Sequence, residues 1–557
     1  MIKDRIVELI EAALRGAAEA GDLPLSDAPH VELETPRNKA FGDYSTNIAM
    51  VLAGQVKMSP REVAAKLIER LPADGGLIEK AEVAGAGFIN FFLKPDWLGD
   101  VLRRIESEGE KYGHAPLHTG ESVLVEFVSA NPNGPITVGS ARGGAIGDVL
   151  SNLLEAVGYD VCREYYVNDA VNSLQMQHFG KSLEARYLQA LGQDAPFPED
   201  GYKGEYVTQI AKQIVERDGD KYLSLSKTER VRVFTDLGER EMLAVQNADL
   251  KAFGVVFDNW YSERSLHESS KVRNAIDTLK ARGYAYEDKG ALWLKSTAFG
   301  DDKDRALIRR NGQPTYIASD TAYHADKFDR GFQRLINVWG PQHHGYIART
   351  KAAVAALGYD PDKLDVIIYQ TVRLFSGGEL VMMSKRAGEL IPLGELVEEV
   401  GKDASRFFLL MRTADSSLDF DLELATQQSS ENPVFYVQYA HARICSIIRS
   451  AADEGLAVPS AEATDLSALG HESEIALVKK MAEYPEEIRI AAESHQPHRL
   501  TAYARDLAAL FHAFYRDCRV LGEEPAVTNA RLVLVEASRT VLRNVLTMLG
   551  VNAPERM

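Results

Sequence analysis

The chain has 557 residues, of which 45% are hydrophobic, and its 63 Lys and Arg against 81 Asp and Glu give a formal net charge of −18. This length is too great for one hydrophobic core and predicts several domains, while the acidic charge argues against a protein that coats DNA non-specifically. No apolar run reaches the roughly 20 residues that a membrane-spanning helix needs, and three widely spaced cysteines favour neither a disulfide framework nor a zinc site.

Residues 1–115 predict a separate α+β domain. Apolar residues recur with helical spacing over residues 2–18 and 60–71, whereas residues 81–93 alternate as strands do. A polar linker that contains glycine and proline follows at residues 109–122, and it marks the boundary with the next domain.

Residues 123–159 contain the most informative pattern of the chain. Alternating apolar residues at 123–127 predict a buried strand, and the prolines and glycines after it predict an irregular turn. From Ala141 onward the apolar spacing is helical, until Gly158 marks a helix end, and a second strand follows at residues 161–167. This order places a helix N-terminus at the carboxyl edge of a parallel sheet, where phosphates bind in open α/β folds.

Two motifs in this segment resemble the first signature of the class I aminoacyl-tRNA synthetases, in its arginyl form. They are Glu126-Phe127-x-Ser129-x-Asn131 and Pro135-x-Thr137-Val138-Gly139-Ser140. The usual tetrad of that family is histidine, hydrophobic, glycine, histidine, so Thr137 and Ser140 stand where histidines are usual. Their hydroxyls donate hydrogen bonds, but more weakly than a cationic imidazole does. The resemblance implies that Pro135, Gly139 and both hydroxyls bind ATP, and that Thr137 and Ser140 take part in catalysis.

Residues from 171 to about 290 predict a mostly helical insertion, with helical periodicity at residues 206–215 and 231–250. The residues alone assign no chemistry to it. The resemblance implies that such an insertion joins the two halves of a doubly wound sheet and helps to hold the acceptor end of tRNA.

Tyr316 and Asp320 lie four residues apart in a predicted helix and therefore face the same way. A guanidinium is planar and always charged, so its site needs a carboxylate and an aromatic or hydroxyl neighbour of matching shape. The pair coincides with the arginine side-chain pocket of the family. The resemblance adds a second carboxylate for the side chain and polar groups for the amino and carboxylate ends of arginine: Glu126, Ser129, Asn131 and Gln342.

A predicted strand at residues 334–339 leads into a turn that contains Gly340, His343 and His344. The resemblance implies that these three residues lie near the adenosine of ATP. Adjacent histidines could also be metal ligands, but neighbouring residues of a strand point to opposite faces, so a metal site is the weaker interpretation. We expect no metal other than the Mg²⁺ that accompanies ATP as a substrate complex.

Residues 380–388, LVMMSKRAG, resemble the second class I signature, Lys-Met-Ser-Lys-Ser. Met382 and Arg386 replace its first and last residues, whereas the second lysine is present. A lysine here would stabilise the charge that grows on the leaving pyrophosphate when a carboxylate attacks the α-phosphate. Without its context, Ser-Lys-Arg is more typical of a solvated loop. The resemblance implies an ATP-binding role for three residues, of which the last two are also catalytic: Met383, Ser384 and Lys385.

Beyond residue 432 the sequence predicts helices to the end, and residues 432–443 resemble the anticodon-binding bundle of the arginyl family. Tyr439 and Arg443 lie four apart on one helical face, and Tyr515 and Met557 coincide with further positions of that bundle. A tyrosine that stacks and an arginine that contacts a base or phosphate form a suitable set for an RNA loop. The alternative is that the tyrosines fill the core of the bundle.

A segment near the N-terminus resembles the appendage peculiar to arginyl-tRNA synthetases. Asn38, Phe41 and Tyr44 would there meet the elbow of the tRNA, because exposed aromatic rings stack on unpaired bases. The alternative is a turn in which Phe41 and Tyr44 simply pack.

Together these patterns predict an α/β protein with three domains. They are an α+β appendage at residues 1–115, a Rossmann-like catalytic domain with a doubly wound parallel sheet at 116–425, and an all-α anticodon-binding bundle at 426–557. Within the catalytic domain, residues from about 365 to 425 form the signature loop and its neighbouring contact region. The resemblance implies an arginine–tRNA ligase whose partners are tRNA(Arg), arginine and ATP. It implies a cytoplasmic monomer that binds neither DNA nor a membrane.

Two other functions remain open from the residues. A non-catalytic relative that only binds tRNA is suggested by Thr137, Ser140 and Met382, which replace signature residues. An oxidoreductase on a Rossmann sheet is the second, but no Gly-x-Gly-x-x-Gly turn follows a strand in this chain.

Overall fold

The structure is a computed structural model, and it describes residues 2–25, 29–34, 36, 38–72, 77–94, 96–169, 174–381 and 391–557. The chain divides into two compact units that do not follow the order of the sequence. The first unit comprises Met1–Tyr112, Ile447–Pro485 and Leu510–Val541. The second unit comprises Gly113–Ser446, Glu486–Ala509 and Leu542–Met557.

The N-terminal part of the first unit is an α+β structure, as predicted. Its antiparallel sheet has the order β1-β3-β2, and the predicted strand region at 81–93 is a pair of adjacent strands. Its elements are the helices α1 (Ile2–Glu19), α2 (Ile48–Val56), α3 (Pro60–Glu69) and α4 (Asp96–Glu108) and the strands β1 (Tyr44–Thr46), β2 (Ile78–Ala84) and β3 (Phe88–Leu93).

The second unit contains the remaining strands and most of the remaining helices. The strands are β4 (Ser122–Phe127), β5 (Asp160–Val167), β6 (Asn259–Ser262), β7 (Ala285–Asp288), β8 (Ala291–Leu294), β9 (Arg305–Ile308), β10 (Arg334–Trp339), β11 (Leu364–Ile368), β12 (Val372–Ser376), β13 (Glu379–Val381) and β14 (Leu418–Asp421). The helices are α5 (Val138–Ala156), α6 (Leu174–Ala190), α7 (Glu205–Asp218), α8 (Lys227–Ala252), α9 (Glu263–Glu268), α10 (Lys271–Ala281), α11 (Tyr316–Asp329), α12 (Ile347–Leu357), α13 (Leu393–Val400), α14 (Lys402–Leu410) and α15 (Leu422–Thr426).

Five helices follow as far as the C-terminal tail, as the sequence predicts, and they supply residues to both units. They are α16 (Pro433–Asp453), α17 (Glu472–Ala482), α18 (Tyr484–Glu493), α19 (His498–Asp517) and α20 (Pro525–Met548). None of the helices in the described ranges is long and apolar enough to cross a membrane.

The centre of the second unit is a parallel five-stranded sheet in the order β11-β10-β4-β5-β6. This is the strand order of a doubly wound fold, in which the chain winds in opposite directions from β4 and from β10. Their shared border is the topological switch point, and ligands bind in the crevice beyond the carboxyl ends of the strands there. The predicted sheet is therefore confirmed, and the switch point between β4 and β10 is the expected position of a ligand site.

Close packing of α5 on the sheet places the turn between β4 and α5. A Cβ added to Gly147 would lie 2.3 Å from Cγ of the Phe127 ring, and one added to Gly143 would lie 2.5 Å from Cε1 of Tyr369. Only glycine allows this approach, because no real Cβ atom is found so close to another heavy atom. The helix N-terminus is thereby held against the carboxyl edge of the sheet.

The insertion after β5 forms a hydrophobic core of its own from α6, α7 and α8, and its two predicted helical segments are confirmed. The sequence did not reveal β6, which lies within the range 171–290 and pairs in parallel with β5. Two small three-stranded sheets, in the orders β7-β8-β9 and β13-β12-β14, complete the second unit.

Candidate active site at the switch point of the sheet

A cavity of about 990 Å³ opens beyond the carboxyl ends of β4 and β10. Most of the predicted substrate residues line it: Glu126, Ser129, Asn131, Pro135, Thr137, Ser140, Tyr316, Asp320, Gly340, Gln342 and His343. Gly139 and His344 were also predicted to bind ATP, but they are not among the lining residues. Met383, Ser384 and Lys385 lie outside the described residues, so their predicted roles stay predictions.

The turn after β4 carries backbone strain at the wall of the cavity. Val128 has φ +66° and Ser129 has φ +43°, and this left-handed conformation is unfavourable for a β-branched residue such as valine. Hydrogen bonds hold the turn: Oγ of Ser129 donates to Oε1 of Glu126 at 3.1 Å and accepts from the backbone N–H of Tyr166 at 3.1 Å. The strain is thus balanced by contacts to both neighbouring strands.

Thr137 and Ser140 lie at the N-terminus of α5, three residues earlier than the sequence placed the start of that helix. Thr137 is the N-cap, and its Oγ1 accepts from the backbone N–H of Ser140 at 3.3 Å and contacts Oγ of Ser140 at 3.3 Å. Ser140 also hydrogen-bonds Tyr369, whose pKa is raised to about 12 by burial. The N–H of Ser140 is taken by this cap and the N–H of Val138 donates to the carbonyl of Ile391 at 3.1 Å, so it is the positive dipole end of the helix that favours a phosphate here.

Tyr316 and Asp320 lie one turn apart at the start of α11, and both line the cavity. Burial, together with the negative charges of Glu263 and Glu126, raises the pKa of Asp320 to about 7, although Lys327 and Arg349 act to lower it. A carboxylate that is costly to ionise in the free protein gains strongly from a cationic ligand.

A chain of hydrogen-bonded, buried polar groups connects Glu126 to the backbone of Asp320. Lys327 is fully buried, and its Nζ donates to Oε2 of Glu126 at 2.6 Å and to Oδ1 of Asn337 at 3.0 Å. Nδ2 of Asn337 donates to Nε2 of His324 at 2.9 Å, and Nδ1 of His324 donates to the backbone carbonyl of Asp320 at 2.8 Å. Burial lowers the pKa of His324 to about 3, which agrees with the neutral tautomer that this network requires.

His343 and His344 do not continue a strand, so the argument from alternating strand faces is wrong. They belong to a 3-10 turn, Pro341–Tyr346, that starts directly after Gly340. His343 lines the cavity, and partial burial lowers its pKa. Among the residues that the structure describes, no three His, Cys, Asp or Glu side chains are grouped so that they could hold a metal ion.

Family models match along the chain and in the predicted order. "Arginyl tRNA synthetase N terminal domain" matches residues 4–93, "tRNA synthetases class I (R), catalytic domain" matches residues 102–428, and "DALR anticodon binding domain" matches residues 437–557. The chain belongs to the arginyl-tRNA synthetase family. The predicted family and fold class are therefore confirmed, and the chain is an enzyme of the class I aminoacyl-tRNA synthetases.

Similar proteins agree with this family assignment over the whole chain. The arginine–tRNA ligase of Heliobacterium modesticaldum is 52% identical over 560 residues, which cover 100% of this chain and 99% of the relative. The arginine–tRNA ligase of Moorella thermoacetica is 51% identical over 555 residues, with the same coverage. The solved structure of the Thermus thermophilus arginyl-tRNA synthetase shares the fold, with a TM-score of 0.76 at 23% identity and 100% of both chains covered.

Several cavity residues of this family member were missed by the sequence analysis. Tyr166, Asn168 and Trp339 lie at or beyond the carboxyl ends of β5 and β10, so their position at strand ends was a usable signal. Tyr202 and Tyr206 reach the cavity from the insertion, and no local pattern distinguishes them from core tyrosines.

The predicted tRNA contacts in the first unit differ in exposure. The Phe41 side chain is 49% exposed and Tyr515 is 44% exposed, so both rings are available for stacking. Oδ1 of Asn38 accepts from the backbone N–H of Ala40 at 3.0 Å and closes the turn before Phe41. The prediction for Tyr44 is wrong, because its ring is only 9% exposed on β1 and offers no face to a base.

The predicted tRNA contacts in the second unit are accessible. Tyr439 is 38% exposed on α16, and Met557 is 54% exposed. Nη2 of Arg443 donates to the Tyr439 hydroxyl at 2.7 Å, and its guanidinium lies 4.6 Å from the centre of that ring. The two side chains therefore form one exposed cationic and aromatic pair, rather than part of a bundle core.

Proposed function

We propose that this chain activates arginine with ATP to form arginyl-adenylate and pyrophosphate, and then transfers the arginyl group to the 3′-terminal ribose of tRNA(Arg). The observation that carries the proposal is the shared cavity at the switch point. One wall of it bears Asp320 and Tyr316, and another bears the helix N-terminus with Thr137 and Ser140. A cation site and a phosphate site thus open into the same space.

The arginine end of the proposed complex lies at α11. The Asp320 carboxylate would pair with the guanidinium, and Tyr316 would complete the shape of the site. Glu126 lies at the edge of the same pocket. The polar groups assigned to the amino and carboxylate ends of arginine are Ser129, Asn131 and Gln342, all of which line the cavity.

The ATP end lies at the N-terminus of α5 and at the turn after β10. The arginine carboxylate would attack the α-phosphorus in line, and pyrophosphate would leave. The positive dipole end of α5 suits the phosphates, the hydroxyls of Thr137 and Ser140 line the cavity beside it, and His343 suits the adenosine. Mg²⁺ enters with ATP as part of the substrate. Met383, Ser384 and Lys385 are proposed, on the resemblance alone, to stabilise the leaving pyrophosphate.

The tRNA would contact exposed aromatic and cationic groups outside the cavity. Phe41 would meet the elbow, and the anticodon loop would meet Tyr439, Arg443, Tyr515 and Met557. The proposal includes a monomer that acts in the cytoplasm, as expected for the family. Analytical ultracentrifugation with and without tRNA(Arg) tests the monomer.

Arginine-dependent exchange of pyrophosphate into ATP, measured with and without tRNA(Arg), tests the proposed reaction. We expect exchange with arginine and none with citrulline, which replaces the guanidinium by a neutral group of nearly the same shape. Tight tRNA binding without any exchange would instead establish the non-catalytic relative that Thr137 and Ser140 suggest. A thermal shift with NAD but none with ATP or arginine would contradict both functions.

A further inference from the structure

Lys327 is the least expected charged group near the cavity. Its side chain is completely enclosed, and the ammonium lies 4.2 Å from the centre of the Tyr323 ring. A lysine is rarely buried unless it is paired, because burial removes the hydration of its charge. Its partner is Glu126, which comes from a different element and lines the cavity. The function proposed above assigns no role to this lysine.

The contacts of Lys327 reach both parts of the proposed arginine site. Through Glu126 they reach Ser129, whose hydroxyl donates to the second oxygen of the same carboxylate. Through Asn337 and His324 they reach the backbone carbonyl of Asp320. One ammonium group therefore orients residues at the end of β4 and in the first turns of α11.

Lys327 and Arg349 are the cations that offset the negative charges around Asp320, and Lys327 is the one paired with Glu126. The negative charges of Glu263 and Glu126 both raise the pKa of Asp320, and Glu263 is only 3% exposed. A bound arginine side chain supplies a single positive charge. Repulsion from these two carboxylates favours the protonated form of Asp320, which lines the cavity.

We propose that Lys327 is a positioning and charge-balancing residue of the arginine site, which fixes Glu126 and offsets its charge so that Asp320 is free to ionise and pair with the guanidinium. This inference rests on the proposed function, because it assumes that arginine binds at Asp320. It assigns Lys327 no contact with the substrate.

A neighbouring ion pair shows what a purely structural role looks like. Arg330 follows α11 and donates to both carboxylate oxygens of Glu164 on β5, at 2.6 and 2.9 Å. Glu164 is fully buried but does not line the cavity, and it is not among the groups that shift the pKa of Asp320. Lys327 also helps to lower the pKa of Glu164, so the pair Arg330–Glu164 is a control for the effect on Asp320 and not for the stability of the buried network.

The pH dependence of arginine binding distinguishes the two roles. Arginine pairs only with ionised Asp320, so its affinity rises as the pH rises through the pKa of that carboxyl, which is about 7. Loss of the Lys327 cation raises the pH at the midpoint of this rise in affinity, and loss of the Glu126 anion lowers it. Loss of both charges restores the wild-type midpoint. The charged and titratable groups that face Asp320 are Glu263 from α9, Glu126 from β4, Tyr166 from β5, Lys327 and His324 from α11 and Arg349 from α12.

The test is isothermal titration of the full chain with arginine between pH 5.5 and about pH 9. We expect Lys327→Met to move the midpoint of affinity upward by about half a pH unit or more, and Glu126→Gln to move it downward by a similar amount. The double variant Glu126→Gln with Lys327→Met should bind arginine with nearly the wild-type midpoint. Arg330→Met should leave the midpoint where it is in the wild type.

Each result decides one question. If Lys327→Met does not fold, Glu126→Gln and the double variant still give the sign of the effect. Midpoints that stay fixed in Glu126→Gln, or that move equally in Arg330→Met, overturn the role of Lys327. Absence of arginine binding to the wild-type chain at every pH overturns the proposed function itself. Wild-type binding with an unmoved midpoint in the variants overturns only the present inference.

Discussion

At the scale of single residues, Asp320 is the group that distinguishes arginine from uncharged substrates in the proposed site. We expect Asp320→Asn to raise KM for arginine by about 100-fold, because roughly 3 kcal/mol of charge pairing with a desolvated guanidinium is lost. KM for ATP should change by less than about threefold, since ATP occupies the other end of the cavity. Pyrophosphate exchange at varied arginine and ATP concentrations measures both values.

Asp329 supplies a control on the same helix. It lies at the last turn of α11, where its carboxylate accepts from the Tyr359 hydroxyl at 2.5 Å, and it does not line the cavity. Asp329→Asn should therefore leave both KM values unchanged. Equal increases in KM for arginine and ATP in Asp320→Asn would contradict the assignment of the guanidinium site.

The sequence predicted the residues of the cavity better than it predicted their partners. Tyr316 and Asp320 were found because helical spacing puts them on one face. Lys327 was not, because its partner Glu126 lies 201 residues away and no local pattern links them. Tyr44 was misjudged for the same reason, since its burial depends on packing that the motif around it does not encode.

At the scale of elements, Thr137, which stands where the family signature has a histidine, is the N-cap of α5. Thr137 caps the helix whose N-terminus faces the cavity, so Thr137→Ala should lower the free energy of unfolding by about 1 kcal/mol. Thr137→Ser, which keeps the capping oxygen, should lose only a fraction of that. Urea denaturation followed by circular dichroism measures the difference.

Restoring the usual histidines tests whether the hydroxyls are adapted to this helix. Because the double change Thr137→His with Ser140→His removes the capping hydroxyl, we expect lower stability and no gain in pyrophosphate exchange. A large gain in exchange would instead show that the natural site is catalytically impaired. Thr137→Ser is the matched control, and it should retain both the cap and the activity.

Arg406 joins three segments of the second unit that are remote in sequence. It is fully buried, pairs with Asp148 on α5, donates to the carbonyl of Leu549 at 2.9 Å, and donates to the carbonyls of Phe253 and Gly254 at 3.3 Å. Arg406→Met leaves these buried groups without their donor. We expect a loss of about 3–5 kcal/mol in the free energy of unfolding, measured by urea denaturation.

An exposed ion pair provides the contrast for Arg406. Arg373 pairs with Asp419 through two hydrogen bonds of 2.6 and 2.9 Å, but both side chains are more than half exposed. Solvent screens such a pair, so Arg373→Met should cost less than about 1 kcal/mol. Similar losses in the free energy of unfolding for the two variants would mean that the buried contacts of Arg406 do not stabilise the fold more than an exposed ion pair does.

Local periodicity was a good guide to long elements and a poor guide to short ones. The helices α7 and α8 follow from apolar spacing that persists over several turns. The strand β6 has only four residues, and it exists because β5 offers unpaired hydrogen-bonding groups beside it. Pairing of this kind depends on segments that are distant in sequence, so periodicity cannot reveal it.

At the scale of the whole molecule, the resemblance gave the order of the family domains but not the compact units. The first unit combines the N-terminal residues with two segments that lie more than 300 residues later in the chain. One contact that joins them is the hydrogen bond of 3.0 Å from the Tyr112 hydroxyl to the carbonyl of Met481. The sequence predicted a linker at this point, where Tyr112 is in fact buried.

The net charge of −18 does not conflict with tRNA binding, because exposed groups and not the total charge make the contacts. The exposed ring of Tyr439 stands beside Arg443. If a base stacks on this ring, Tyr439→Ala should raise KM for tRNA about tenfold or more, since each stacked base contributes about 1–3 kcal/mol. KM for arginine and ATP should stay the same.

Two conservative variants separate stacking from other effects of changing Tyr439. Tyr439→Phe keeps the ring and should retain most of the affinity for tRNA, whereas Tyr44→Phe alters a buried ring and should change no KM value. Aminoacylation at varied tRNA concentrations measures these values. A Tyr439→Ala variant with unchanged KM for tRNA would place the anticodon contact elsewhere, and it would leave the pair on α16 as surface packing between two neighbouring turns.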